Sequence, residues 1–175
     1  MSDSRIEGYA RGLFEIARAE GTIDEVEDEL FRFARSYEGS VELRSALSDE
    51  QIPAGKRQSI VEDLLGGKVT PTTTQLISMV VGSGRARDLP AIVDKLVARA
   101  STAKNLEVAE VRTAVALTPD QETRLAAALA NATGKQVNLK VVLDPSVLGG
   151  LVATVGDTVI DGTVRTRIEQ LKSRL

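Results

Sequence analysis

Asp157 and Asp161 stand four residues apart, and a carboxylate pair is the one arrangement in this chain that could flank a scissile bond as general acid and base. The surrounding residues favour a plainer role. Asp157 follows Gly156 at a predicted hairpin turn and Asp161 precedes Gly162 before a helical pattern; aspartate is common at both places because its side chain bonds nearby backbone N–H groups. Gly66, Gly67 and Lys68 resemble the end of a phosphate loop. That loop needs a hydroxyl residue directly after the lysine and a glycine five residues before the second glycine, and those positions hold Val69 and Glu62. Gly82, Ser83 and Gly84 have Arg87 where a dinucleotide fingerprint requires its third glycine, and they follow a helical pattern rather than a strand. The acids Asp24, Glu25, Glu27, Asp28 and Glu29 could gather a cation or a partner, but they read first as the solvated opening turns of a helix, where negative charge suits the dipole.

The 175 residues contain no Cys and no His. Disulfides, thiol nucleophiles, thiolate zinc sites and imidazole bases are thereby excluded. The chain is expected to be no enzyme and to need no cofactor or metal. Its net charge is −3, with 14 basic and 17 acidic side chains in residues 1–105 and eight of each in 106–175. Neither half has the positive excess of a phosphate-backbone reader. Aromatics are 3% of the chain, so the core must be aliphatic. No apolar run approaches the ~20 residues that cross a bilayer, and the opening MSDSRIEGYARG predicts no export. Asn131, Ala132 and Thr133 form a glycosylation sequon, but it falls on a predicted helix of a chain expected to stay inside the cell.

The elements follow from periodicity. Ile6, Tyr9, Ala10, Leu13, Phe14 and Ala17 line one face of a first helix, with Glu7, Arg11 and Glu15 able to pair on its outer face and Gly21 as its stop. Thr22 and Glu25 have capping-box spacing for a second helix, whose apolar face is Ile23, Val26, Leu30, Phe33, Ala34 and Tyr37. A short helix covers residues 41–47. Pro53 and Pro71 each suit a first helical position. The fourth helix turns Ile60, Val61, Leu64 and Leu65 inward and ends at Gly66 and Gly67; the fifth carries Leu76, Ile77, Met79 and Val80 and ends at Gly82 to Gly84. A sixth carries Leu89, Ile92, Val93, Leu96, Val97 and Ala100. Near Asn105 the period shifts to two. Ala109, Val111, Thr113 and Val115 predict a strand, Thr118-Pro119-Asp120-Gln121 a helix start, and Val137, Leu139, Val141 and Leu143 a second strand. The segment with Gly156 and Asp157 at its centre predicts a hairpin, and Asp161, Gly162 and Thr163 introduce a last helix to Leu175. The expected class is α+β: a six-helix bundle over residues 1–105, then a small mixed α/β domain over 106–175 with a β-hairpin and a C-terminal helix.

The string DPSVLGGLVATVGDTVIDGTVRTRIEQLKSRL, residues 144–175, carries more than its local chemistry. Its paired glycines Gly149 and Gly150, alternating β-branched residues, Gly156 and Asp157, Val159 and Ile160, then Asp161, Gly162 and Thr163 before a basic helix resemble the C-terminal signature of the delta subunit family of F-type ATP synthases, called the oligomycin-sensitivity-conferring protein in mitochondria. Tyr9, Ala10, Leu13 and Phe14 resemble that family's opening helix, and Gly84, Arg85, Leu89 and Ile92 its fifth-to-sixth helix junction. Gly12 and Ala86 depart from the family pattern.

The resemblance implies a non-catalytic stator subunit of a proton-translocating ATP synthase, at the cytoplasmic face of a bacterial cell membrane, linking the catalytic head to the peripheral stalk. It implies that the first and fifth helices, through members of the set Ile6, Tyr9, Ala10, Leu13, Leu76, Met79 and Val80, bind the N-terminal helix of an alpha subunit. It implies that the second domain binds the b subunits, and the basic residues Arg165, Arg167, Lys172 and Arg174 are the candidates there. From the residues alone, core packing remains open for each apolar position, and a solvated face for each basic one. The competing readings are a free-standing adaptor or nucleic-acid module and a carboxylate enzyme around Asp157 and Asp161.

Overall fold

The computed structural model describes residues 3–162, seven α-helices and one four-stranded sheet. The chain divides into two compact units, residues 1–100 and a second beginning at Ser101. Six helices open the chain: α1 (Asp3–Ala19), α2 (Ile23–Gly39), α3 (Val41–Ser48), α4 (Ala54–Leu65), α5 (Pro71–Gly82) and, after one 3-10 turn at Ala86–Asp88, α6 (Leu89–Ala103). The second unit holds β1 (Glu107–Thr113), α7 (Pro119–Thr133), β2 (Val137–Leu143), β3 (Leu151–Val155) and β4 (Thr158–Asp161).

Left-handed residues set the ends of α1, α5 and α6. Gly21, at φ 70°, donates its N–H to the Arg18 carbonyl while Thr22 reaches back to Ala17 at 3.0 Å. That is the Schellman pairing, which satisfies carbonyls the helix leaves without partners. Gly84 and Arg85 repeat it on Val81 and Val80 after α5, and Asn105 and Leu106 on Thr102 and Ser101 after α6. The capping box expected at Thr22 and Glu25 is absent: Thr22 belongs to the exit of α1, its hydroxyl lies 3.5 Å from the Ala17 carbonyl, and it makes no side-chain cap. The same signature at Thr118 and Gln121 forms both reciprocal bonds, at 3.3 and 2.8 Å, because a free loop precedes it. Pro53 sits one place ahead of its expected position, as the N-cap of α4, whereas Pro71 opens α5 as expected.

The core of the first unit is aliphatic with three phenylalanines: Leu13 and Phe14 from α1, Leu30, Phe31 and Phe33 from α2, Ile77 and Val81 from α5, and Leu89, Ile92 and Leu96 from α6 are among its buried members. From α4 only Val61 joins it among the apolar residues. Ile60 and Leu65 are half-buried and Leu64 is exposed, so the inward set expected on α4 shrinks to one. The acidic run on α2 is likewise only partly a solvated face. Glu27 is 1% exposed, and Glu29 reaches the N-terminus of α5, where it accepts hydrogen bonds from the Thr70 N–H at 3.0 Å, the Thr70 hydroxyl at 2.8 Å and the Thr73 hydroxyl at 2.6 Å. Thr72 adds a bond to Glu20.

In the second unit the strand order is β2-β1-β3-β4. β1 and β2 are parallel, joined through α7, while β3 pairs antiparallel with both β1 and β4. The period-two alternation sends Ala109, Val111, Ala153 and Val155 to one face, where Leu125 and Leu129 of α7 pack on them. The other face carries Glu110 beside Lys140 and Arg112 beside Val142 in register. The final helix expected from Asp161 onward lies outside the described residues.

Burial alone would raise the Glu29 pKa. The hydrogen bonds from Thr73 and Thr70, together with the Arg32 charge, outweigh it and hold the group below its ordinary 4.5. A carboxyl depressed on folding stabilises the fold above its unfolded pKa, and that contribution is lost as pH falls through the folded value. Glu29→Gln is therefore expected to cost about 1–3 kcal/mol at neutral pH and to flatten the fall in stability below pH 4.5, read by urea unfolding across the acid range.

Candidate partner-docking site

The α1 helix is apolar on one side and has an uncommon stripe on another. Ala10, Leu13, Phe14 and Ala17 face the core. Arg5, Gly8, Tyr9, Gly12 and Ile16 run along a neighbouring face at helical spacing and, with Leu13 and Met79 of α5, line an open groove of about 320 Å³. Ile16 and Met79 are the exposed apolar edges, at 39% and 43%. Tyr9 crosses the seam: its hydroxyl donates to Ser83 Oγ at 3.3 Å, and Ser83 in turn donates to the Val80 carbonyl at 2.8 Å. Glu7, expected to pair along α1, instead pairs with Arg99 of α6, and the ion pair within α1 joins Glu15 to Arg18.

The seven residues expected to receive a partner helix separate by burial. Tyr9 and Met79 open onto the groove, while Leu13, 2% exposed, lies beneath its floor as part of the core. Ile6 is half-buried and does not line it. Ala10, Leu76 and Val80 are 0%, 3% and 1% exposed, so they are core residues and offer a partner no surface. Gly8, Gly12 and Ile16 went unassigned from the sequence. Their signal was present as two glycines one turn apart followed by an isoleucine at the same interval. A Cβ placed on either glycine meets nothing within 4 Å, so these positions leave a shallow, open floor.

The two carboxylates first suspected belong to one hairpin. Asp157 is exposed in the β3–β4 turn, and Asp161 ends β4 opposite Val152. Among the described residues no cluster of three or more acidic side chains is placed to hold a metal ion, and no helix is long and apolar enough to cross a membrane.

The family model of the ATP synthase delta (OSCP) subunit matches residues 6–175. The chain belongs to the ATP synthase delta (OSCP) subunit family. It is 43% identical over 175 residues to ATP synthase subunit delta of Nocardia farcinica, covering all of this chain and 65% of that one. It is 42% identical over 159 residues to the Streptomyces avermitilis subunit, covering 91% of this chain and 58% of that one. It is 35% identical over 167 residues to the Symbiobacterium thermophilum subunit, covering 95% and 90%. The chain thus spans about three-fifths of the length of the first two relatives. A chain in the cryo-EM structure of the Toxoplasma gondii mitochondrial ATP synthase hexamer has the same fold, with a TM-score of 0.56 at 20% identity over 97% of this chain and 96% of that one.

Three of the four glycines that carried the delta-family resemblance, Gly149, Gly150 and Gly156, have backbone reasons for their type. Gly149 and Gly150 take φ 61° and 90° in the bend before β3, and Gly156 takes 56° in the hairpin turn. A Cβ at Gly156 would stand 2.8 Å from Glu107 Oε1, a carboxylate that also pairs with Lys135 at 3.2 Å. Gly162 donates its N–H to the Leu151 carbonyl at 2.9 Å. Asp144 caps its own turn by accepting from Ser146, and those hydrogen bonds, with help from Arg112, hold its carboxyl below the ordinary range. Arg165, Arg167, Lys172 and Arg174 lie outside the described residues.

Two stability measurements test these backbone assignments. Gly12→Ala is expected to stabilise the free protein by about 1 kcal/mol, because alanine is the better helix former and its methyl group enters open space. Gly156→Ala is expected to destabilise by about 1–2 kcal/mol, because a side chain there must hold a left-handed conformation. Urea unfolding of the full chain reads both.

Proposed function

We propose that the chain is the non-catalytic connector in the stator of a proton-translocating F-type ATP synthase, tying the catalytic head to the peripheral stalk so that rotation is coupled to ATP synthesis. The observation that carries this reading is the open α1–α5 groove in a chain of the delta (OSCP) family. The first unit, as a six-helix bundle, takes the N-terminal helix of an alpha subunit into that groove. An amphipathic helix suits such a trough, with its apolar side chains against Tyr9, Ile16 and Met79 and its backbone brought close by Gly8 and Gly12. The second unit takes the ends of the b subunits, with Arg165, Arg167, Lys172 and Arg174 as the basic contacts. Torque is resisted by many modest contacts at two ends, which requires no catalytic group. The protein is held at the cytoplasmic face of a bacterial membrane through the complex.

Titrating the full chain with a synthetic peptide of the alpha N-terminus tests the proposal. Saturable binding at micromolar concentration is expected, with amide shifts at Tyr9, Gly12 and Met79. Gly12→Leu fills the floor from an exposed position and is expected to weaken binding about tenfold or more, a loss of at least ~1.4 kcal/mol. A folded chain that binds no such peptide overturns the assignment of the groove.

A further inference from the structure

A second apolar concavity shares no residue with α1 or α5. Phe33 of α2, Leu43 of α3, Ile60 and Leu64 of α4, and Val69 line a trough of about 700 Å³. It exists because α3 and α4 give the core little: Leu47 and Val61 are their only buried apolar side chains, and the remaining aliphatic residues are left around a gap that no described element fills. Leu64 is 41% exposed at its edge.

We propose that this trough between α2, α3 and α4 is a second docking site, and that its occupant is an amphipathic helix of another protein whose apolar stripe is flanked by acidic residues. The trough is open along its length, which suits a helix laid across it better than a small molecule that must be enclosed. Charge selects the flanks. Four charged residues line the walls: Glu29, Arg32, Glu42 and Lys68. The two acids are already engaged at helix N-termini. Glu29 accepts from Thr70 and Thr73 at the start of α5, and Glu42 sits in the first turn of α3 with the Ser40 hydroxyl 3.2 Å away. Each helix end carries about half a positive charge, which offsets much of its acid. The two cations differ. Arg32 helps to hold Glu29 ionised without contacting its oxygens, and neither Arg32 nor Lys68 forms a salt bridge among the described residues. Both are exposed beside an apolar floor. An incoming helix therefore meets a wet apolar strip with two available cations at its margin, and carboxylates on that helix gain partners there while cations do not.

The site shares no residue with the α1–α5 groove, so the two can be tested apart. The probes are two synthetic helical peptides with the same leucine stripe, one flanked by glutamates and one by lysines, titrated at low salt into the isotope-labelled full chain. The glutamate peptide is expected to saturate with shifts on Ser36, Leu43, Leu64 and Val69, and the lysine peptide to bind about tenfold more weakly, the difference shrinking as salt screens it. Leu64→Glu changes an exposed side chain and is expected to abolish binding with the rest of the spectrum unchanged. Arg32→Glu combined with Lys68→Glu is expected to reverse the order of the two peptides, whereas Gly12→Leu leaves both affinities as they were. Absence of saturable shifts, shifts confined to Tyr9, Gly12 and Met79, equal affinity for the two peptides, or occupation of the trough by a second copy of the chain would each overturn the proposal.

Discussion

The arrangement of the first unit depends on how α5 is held. Its N-terminus presents backbone N–H groups that the helix cannot satisfy, and a carboxylate from another helix, Glu29, is drawn to them along with two threonine hydroxyls. Glu20, just beyond α1, takes Thr72 one residue into the same helix. At the far end Tyr9 of α1 meets Ser83. α5 is thus tied to its neighbours at both ends by polar contacts, while Leu76, Ile77, Val80 and Val81 bury its middle. Only with α5 in that place does Met79 come to lie beside the glycine face of α1.

Gly8 and Gly12 cost α1 helix stability and leave one of its faces open. Each weakens α1 by about 1 kcal/mol relative to alanine, and nothing in the free protein occupies the space they leave. The buried face of the same helix, with Ala10, Leu13, Phe14 and Ala17, supplies the packing that holds the helix in place regardless. One helix therefore serves the core with one side and leaves the other side open, the face proposed above to receive a partner. The second unit divides its labour by face as well. Alternation along β1 and β3 builds an apolar side under α7, and the opposite side carries Glu110, Arg112 and Lys140.

Periodicity and punctuation were legible where they act locally. The apolar stripes of α1, α2, α5 and α6, the stops at Gly21 and Gly84, the cap at Thr118, the alternation of β1 from Ala109 to Thr113 and the turn at Gly156 all depend on residues within a turn or two of each other; in β2 the alternation misleads, since Lys140 is buried and Leu143 exposed. Thr22 failed for a reason of the same scale. The exit of α1 and the start of α2 compete for one residue, and the Schellman geometry takes it.

What the amino-acid order determined by itself was the class of each segment, the exclusion of thiol and imidazole chemistry, and a family signature whose Gly149, Gly150 and Gly156 take backbone angles that favour glycine. What only the tertiary structure decided was which apolar residues are left over. Ala10 and Met79 read alike as members of helical stripes, yet one is sealed in the core and the other lies 43% open. Ile60 and Leu64 read as core and instead border a trough. Burial is a property of the space between helices, fixed by how many neighbours each face finds and by long-range contacts such as Glu29 to Thr70, 41 residues apart. A stripe of apolar residues states only that a face must be covered; whether the cover is this chain or another is settled once the chain has folded and its own side chains have run out.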